Sequence, residues 1–251
     1  MNIIGIVGGV GPYAGLDLTN KIFDQTLASS DQEHLPVALL SLSEKIGDRT
    51  RYLMGETETN PAYAVVEIIE KLEHLGARVV GIPCNTMHAP RIFDVILQQL
   101  REIDSKVKVI HMIEEVVKYI NNHYPDMQRV GVLSTTGTWK SGIYANLLQK
   151  YSYKPILPDQ PLQEEIHNAI YNPRYGIKAK SKPVASQARD TLIKGLRYLK
   201  KDGAQGIILG CSEISFAMPY DELEELPLFD TNLILARSLI SRTHPEKLKS
   251  L

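Results

Sequence analysis

Short apolar runs rich in Ile and Val alternate along the chain with longer stretches in which apolar residues recur every three or four positions. The short runs have the length and β-branched composition of buried strands, and the longer ones have the period of amphipathic helices. Strands are predicted at 2–9, 36–42, 77–82 and 106–112, and again at 129–134, 153–157, 206–210 and 226–230. One helix is predicted over 12–29, opened by Pro12. A second, over 61–75, carries Val65, Ile68, Ile69 and Leu72 at helical spacing, and a third starts near Pro90. Proline suits a first helical turn, where the missing N–H would have no helical partner. The Gly- and Lys-rich stretch RYGIKAKSK (174–182) reads as a loop. Strand followed by helix, repeated, predicts an α/β fold with parallel sheets.

The pattern starts twice. HLGARVVGIPC (74–84) lies over KDGAQGIILGC (201–211), each with Gly-Ala, an apolar strand and then a cysteine, so that Gly76 falls on Gly203 and Cys84 on Cys211. IIGIVGGVGP (3–12) lies over RVGVLSTTGT (129–138), with Gly5 on Gly131. Resemblance among α/β strands explains one such match; two matches with nearly the same offset indicate a duplication. The expected architecture is two similar parallel-sheet α/β half-domains related by a pseudo-twofold, with the active site in the cleft between them. Residues 1–115 form the half carrying Cys84 and 116–230 the half carrying Cys211, and 231–251 form a C-terminal helix packing back on the first half.

Composition narrows the function. The formal net charge of −1 over 251 residues gives no reason to expect nucleic acid or an anionic membrane as a partner. No apolar run approaches the roughly 20 residues that span a bilayer. The N-terminal apolar run lacks a preceding basic residue and a small-residue cleavage pattern, so it reads as a first strand, and a cytoplasmic location is expected. Two cysteines are too few for a disulfide framework.

Cys84 and Cys211 are the informative pair, because ligands of open α/β sheets bind at the carboxyl ends of the strands. A disulfide, buried structural thiols, a zinc site using the C-x3-H spacing of Cys84 and His88, and a Cys nucleophile with His88 or His111 as base are all available readings. Acid–base work on a stereocentre fits the duplication better. Inversion needs a proton taken from one face of a carbon and another delivered to the opposite face, so two bases are needed. A free thiol with a pKa of about 8.5 is partly thiolate at neutral pH, and a helix N-terminus after each cysteine would lower that value. Ser212 is the expected cap after Cys211. Hydrogen bonds from Asn85, Thr86 and Ser212 would stabilise the carbanion through the substrate carboxylate.

The stretches PCNTMH, GCSEI, GGVGP and YGIKA together resemble the aspartate/glutamate racemase superfamily, closest to the aspartate racemases, over nearly the whole chain. The resemblance implies an amino-acid racemase that needs neither pyridoxal phosphate nor a metal, with no cofactor, two similar α/β domains and a homodimeric assembly. Its substrate would be a small acidic amino acid. It implies that Cys84 and Cys211 are the catalytic bases, that Asn85 and Thr86 bind substrate, and that Arg49 and Lys178 bind its carboxylates, a role that suits two cations. Met87 stands where the family often has Ala, and Ser212 where Thr is usual, so both bear on substrate preference. The segment before Lys178 is longer than the family's, which leaves Arg174 and Lys180 as substitutes. Hydantoin racemase, maleate cis–trans isomerase and a dicarboxylate-binding protein without activity are the alternatives; a decarboxylase would keep one cysteine.

GVGPYA (9–14) also matches the dinucleotide pattern G-x-G-x-x-A, but Pro12 removes an amide donor and the acid expected at the end of the second strand is missing. In the racemase reading this loop shapes the floor of the site, with Gly9 allowing close approach, and Thr138 is its counterpart contact in the second half, or alternatively a helix cap. Glu213, two residues after Cys211, either polarises that thiol, forms a buried salt bridge or stays exposed.

Overall fold

Glycine at two strand positions shows how the sequence repeats in three dimensions. A Cβ on Gly5 would stand 2.8 Å from Val80 Cγ2 and 3.0 Å from Ala77 Cβ, with Leu72 Cβ next at 3.5 Å. A Cβ on Gly131 would meet Ile207 Cγ1 at 2.9 Å, Ala204 Cβ at 3.1 Å and Leu199 Cδ1 at 3.3 Å. In the alignment that places Cys84 over Cys211, the second set of neighbours falls on the first, residue for residue. Each glycine lets a helix and an adjacent strand close onto the first strand of its sheet.

The computed structural model describes residues 2–218 and 226–250. The chain divides into two units, one of residues 1–115 with 232–251 and one of 116–231. In the first, strands β1 (Ile3–Gly8), β2 (Val37–Ser41), β3 (Ala77–Gly81) and β4 (Lys108–Ile110) form a parallel sheet in the order β2-β1-β3-β4. In the second, β5 (Arg129–Ser134), β6 (Lys154–Ile156), β7 (Gly206–Gly210) and β8 (Leu228–Asp230) form a parallel sheet in the order β6-β5-β7-β8. Register repeats with order: Gly5 pairs with Val80, and Gly131 with Ile207.

Helices cover both faces of the first sheet. Val7 and Val80 pack against α3 (Ala62–His74) through Val65, Ile68, Ile69 and Leu72, and against α4 (Pro90–Glu102) through Ile92, Phe93 and Ile96. Ile4 and Ile6, on the opposite face, meet Leu18 and Ile22 of α1 (Pro12–Asp24) and Leu235, Leu239 and Ile240 of α10 (Thr231–Thr243). Gly81 makes room for α10, since a Cβ there would lie 2.8 Å from Leu239 Cδ1. Asn232 Nδ2 fastens the start of that helix by donating to Ala14 O at 3.1 Å and Asp17 Oδ2 at 2.9 Å. In the second unit Leu133, Ile207 and Leu209 pack on α8 (Gln160–Tyr171) and α9 (Ser186–Lys201).

Two element ends differ from the sequence expectation. The first helix stops at Asp24 and does not run to 29, because residues 25–27 pair with the C-terminal segment: Leu27 N donates to Lys247 O and Lys249 N to Gln25 O. The fourth strand stops at Ile110 and not at 112, because His111 Nδ1 accepts from Glu114 N at 3.3 Å as α5 (Met112–His123) begins. Among the described residues no helix is long and apolar enough to cross a membrane.

Gly5→Ala and Gly131→Ala are each expected to lower stability by about 1–3 kcal/mol through overpacking. A lowered Tm measures the loss. In a double-mutant cycle, Val80→Ala combined with Gly5→Ala should cost less than the sum of the two single changes.

Candidate functional site

In each sheet the chain leaves the first strand toward one edge and returns on the other side to build the third, so the switch point lies between the carboxyl ends of those two strands. The loops after β1 and β3, and after β5 and β7, flank these two points. They carry Gly9 and Cys84 in one unit, and Thr135–Thr138 and Cys211 in the other.

In the first unit, Gly9 has φ 82°, and a Cβ would lie 2.8 Å from Ser43 N, so only glycine suits this turn. Arg49 opens α2 (Arg49–Leu53), whose N-cap Asp48 accepts from Arg51 N. Its side chain is buried and not a solvated surface charge: Nη2 donates to Val10 O at 2.8 Å and Nη1 to Gly47 O at 3.3 Å. The guanidinium thus holds the glycine loop by its main chain. Cys84 lies just past the end of β3 in extended conformation, 8% exposed. Its carbonyl accepts from Met87 N at 3.1 Å, closing a short 3-10 turn over Asn85–His88, and Asn85 and Thr86 are buried in that turn.

Met87, expected to bear on substrate preference, has its side chain fully buried in the apolar core with Ile82, Ile92 and Phe93. When Cys84 is laid over Cys211, Met87 falls on Ile214, also fully buried, with its N–H donating to Cys211 O at 3.0 Å. Packing demand accounts for both.

His88 does not supply a base to Cys84. The His88 ring lies 4.9 Å from that of His111 and 5.0 Å from Phe93, and its Nδ1 faces the Cys84 carbonyl at 2.9 Å, so the proton sits on Nδ1. Burial, helped by the charge of His111, lowers its pKa to about 3, against the opposing pull of the Cys84 and Ile110 carbonyls. His88 is a neutral structural ring. For the zinc reading, among the described residues no three His, Cys, Asp or Glu side chains are grouped as metal ligands.

In the second unit, Thr135 and not Thr138 caps the helix: Thr135 Oγ1 accepts from Thr138 N at 3.3 Å at the start of α6 (Thr136–Ser141). Thr138 lies buried in the first turn, its Oγ1 3.2 Å from that of Thr135. Cys211 is 5% exposed, and Ser212 is buried beside it. Ser212 does not cap the turn that follows; its carbonyl accepts from Ser215 Oγ at 3.0 Å. That turn, Ile214–Ala217, is a single short 3-10 segment, too brief to act as the helix N-terminus expected to acidify the thiol.

The environment of Cys211 acts in the opposite direction. Its Sγ–H donates to Glu213 Oε2 at 3.1 Å, and Lys178 Nζ donates to Glu213 Oε1 at 2.6 Å. Burial pushes the thiol well above its ordinary range, the Glu213 charge adds to that, and Lys178 offsets part of it. Burial alone would raise the Glu213 carboxyl, but the Lys178 ammonium and the hydrogen bonds from Lys178 and Cys211 hold it below its ordinary value. Burial and then Cys211 push the Tyr144 hydroxyl, on α7 (Ile143–Lys150), well up. Glu213 is therefore a carboxylate with one oxygen on an ammonium and the other on a thiol.

The YGIKA stretch is built to deliver that ammonium. Ile177 N and Lys178 N donate to Ala169 O and Ile170 O, carbonyls of the last turn of α8. A Cβ on Gly176 would come within 2.5 Å of Asn172 N, so glycine is required for this approach. Ile177 is fully buried as an anchor, and Lys178 Nζ passes 5.5 Å from the Tyr171 ring centroid on its way to Glu213. Arg174 and Lys180 stay exposed, so Lys178 is the cation this loop brings to the cysteine. Reading the residues alone missed that Lys178 and Cys211 share one carboxylate; the i, i+2 spacing of Cys211 and Glu213 in a turn was the available signal.

If His88 is neutral and buried, one histidine ring should hold its neutral NMR shifts from about pH 8 to pH 5. Stability follows the same titration: a ring whose folded pKa is depressed adds stability that is present above its unfolded value of 6.5 and is lost as pH falls toward about 3. Tm should drop across that window, with this ring contributing up to about 1.4 kcal/mol per pH unit.

Residues 7–239 match the model of the Asp/Glu/hydantoin racemase family. The broad specificity amino-acid racemase RacX of Bacillus subtilis (strain 168) is 27% identical over 244 residues, 95% of this chain and 97% of that protein. The structure of Picrophilus torridus aspartate racemase superposes with a TM-score of 0.80 at 27% identity, covering 99% of this chain and 96% of that one. Francisella tularensis glutamate racemase in complex with D-glutamate shares the fold, with a TM-score of 0.64 at 18% identity over 100% of this chain and 84% of that one. Two four-stranded parallel sheets of repeated order, each with a buried cysteine just past its third strand, occur here in a chain that belongs to the Asp/Glu/hydantoin racemase family.

Proposed function

We propose that the protein interconverts the enantiomers of an acidic amino acid, aspartate first and glutamate second, with Cys84 and Cys211 as the two bases. As a member of its family the protein is an isomerase of the amino-acid racemase type. The observation that carries the finer reading is the recurrence of one buried cysteine on the same turn at the switch point of each sheet.

In this mechanism one cysteine, as thiolate, takes the Cα proton, and the other, as thiol, returns a proton to the opposite face. The reverse direction exchanges the roles. Asn85, Thr86 and Ser212, buried next to the cysteines, are the donors assigned to the substrate α-carboxylate, where negative charge grows as the Cα–H bond breaks. Arg49 and Lys178 are the cations assigned to its carboxylates. Both proton carriers are side chains, so the reaction as proposed uses no cofactor. An aspartate racemase and a broad specificity racemase among the similar proteins support an amino-acid substrate.

L-Asp, D-Asp, L-Glu and D-Glu incubated with enzyme in deuterated water should exchange the Cα proton, aspartate faster; no exchange with any of the four rules out an acidic substrate. Cys84→Ala and Cys211→Ala should each reduce racemisation by about 10²–10⁴-fold or more, and racemisation at the wild-type rate in either variant overturns the two-base reading.

A further inference from the structure

The two cysteine turns share their backbone hydrogen bonds but differ in their side chains. Met87 N donates to Cys84 O and Ile214 N to Cys211 O; Ala89 N donates to Thr86 O and Phe216 N to Glu213 O. Two residues past the cysteine, the first unit carries the hydroxyl of Thr86 and the second the carboxylate of Glu213. Duplication of the fold has therefore not duplicated the chemistry.

We propose that Glu213 is a positioning residue that holds Cys211 as the protonated thiol in the resting enzyme, making Cys211 the proton donor of the first turnover. The inference rests on the two-base reading above. Its geometry is the pair of contacts on one carboxylate, 2.6 Å to the Lys178 ammonium and 3.1 Å to the Cys211 sulfur. An ionised carboxylate accepts and cannot donate, so the proton between Glu213 Oε2 and Cys211 Sγ belongs to the sulfur. Among the described residues, the charged and titratable groups at this thiol are Glu213 on its own turn, Lys178 from the loop after α8, and Tyr144 from α7. Burial and the neighbouring carboxylate both oppose a thiolate there. Lys178 moderates the opposition without removing it.

Protons balance simply. The Cys84 thiolate takes the Cα proton and becomes a thiol, and Cys211 gives its proton to the opposite face and becomes a thiolate. That leaves a thiolate beside the Glu213 carboxylate, a like-charge pair that favours return to the resting form by proton exchange with solvent. Racemisation has an equilibrium constant of one, so kcat/KM must be equal in the two directions, and the asymmetry has to be read on the thiol itself.

The test is an ultraviolet titration of thiolate absorbance in Cys84→Ala, where Cys211 is the remaining cysteine. Cys211 is expected to titrate above the ordinary thiol range of about 8.5; a midpoint at or below that range overturns the proposal. Adding Glu213→Gln keeps the size, removes the charge and replaces one of the two acceptor oxygens with a donor NH2. With the fold checked by circular dichroism, it should move the midpoint down by at least about one unit, a tenfold gain in thiolate at fixed pH below the midpoint. An unmoved midpoint in a folded variant overturns the proposal, and if that variant does not fold, the Cys84→Ala titration decides. In the two-cysteine enzyme Glu213→Gln should shift the pH profile of kcat with a smaller change in KM, whereas loss of a merely structural contact would lower kcat evenly across pH. Failure of the titration leaves the racemase reading standing, and that reading falls separately if either cysteine proves dispensable.

Discussion

A Cβ at Gly5 or Gly131 would crowd the strand and helix packed on it, and much of the molecule follows from that. Each glycine sits on the first strand of a sheet and admits the same three neighbours, Leu72, Ala77 and Val80 in one unit and Leu199, Ala204 and Ile207 in the other. Close approach of the third strand and its preceding helix on one side, with the second strand paired on the other edge, sets the sheet order. The order in turn sets the switch point, and the switch point is where the cysteine loops emerge. A packing constraint a few residues from the chemistry thus decides where the chemistry can be.

Once the two loops are placed, their differences matter more than their likeness. Cys84 stands in a turn with amide and hydroxyl neighbours, on a core that includes a neutral, stacked His88. Cys211 stands beside a carboxylate whose charge is sustained by a lysine from another loop. In a buried setting these neighbours set protonation, because few waters remain to screen them. Arg49 and Lys178 show the same division. One is buried and holds the glycine loop by a main-chain carbonyl, while the other is partly exposed and paired to Glu213. Any substrate carboxylate that engages Lys178 therefore competes with Glu213 for it.

The α/β class, the strand positions and the duplication were legible because each is written in local terms. Period, β-branched runs, proline at helix starts and a repeated glycine-to-cysteine spacing are properties of neighbouring residues. The centres of the strands matched to within a residue or two, and RVGVLS and GIILG matched in full. The misread element ends were those where a contact outside the periodic pattern intervenes. Residues 25–27 leave the helical pattern to pair with 247–249, and His111 turns from strand to helix cap by accepting from Glu114 N.

The sequence by itself determined that there are two sheets of one pattern, that a cysteine follows the third strand of each, and that YGIKA supplies a lysine; these rest on periodicity and fixed spacing. Only the tertiary structure decided the state of those groups. Nothing in the spacing of residues 178, 211 and 213 shows that an ammonium and a thiol meet on one carboxylate, because the chain between Lys178 and Cys211 includes the whole of α9 and β7. Protonation depends on burial and on charges within a few ångströms, and folding alone sets both.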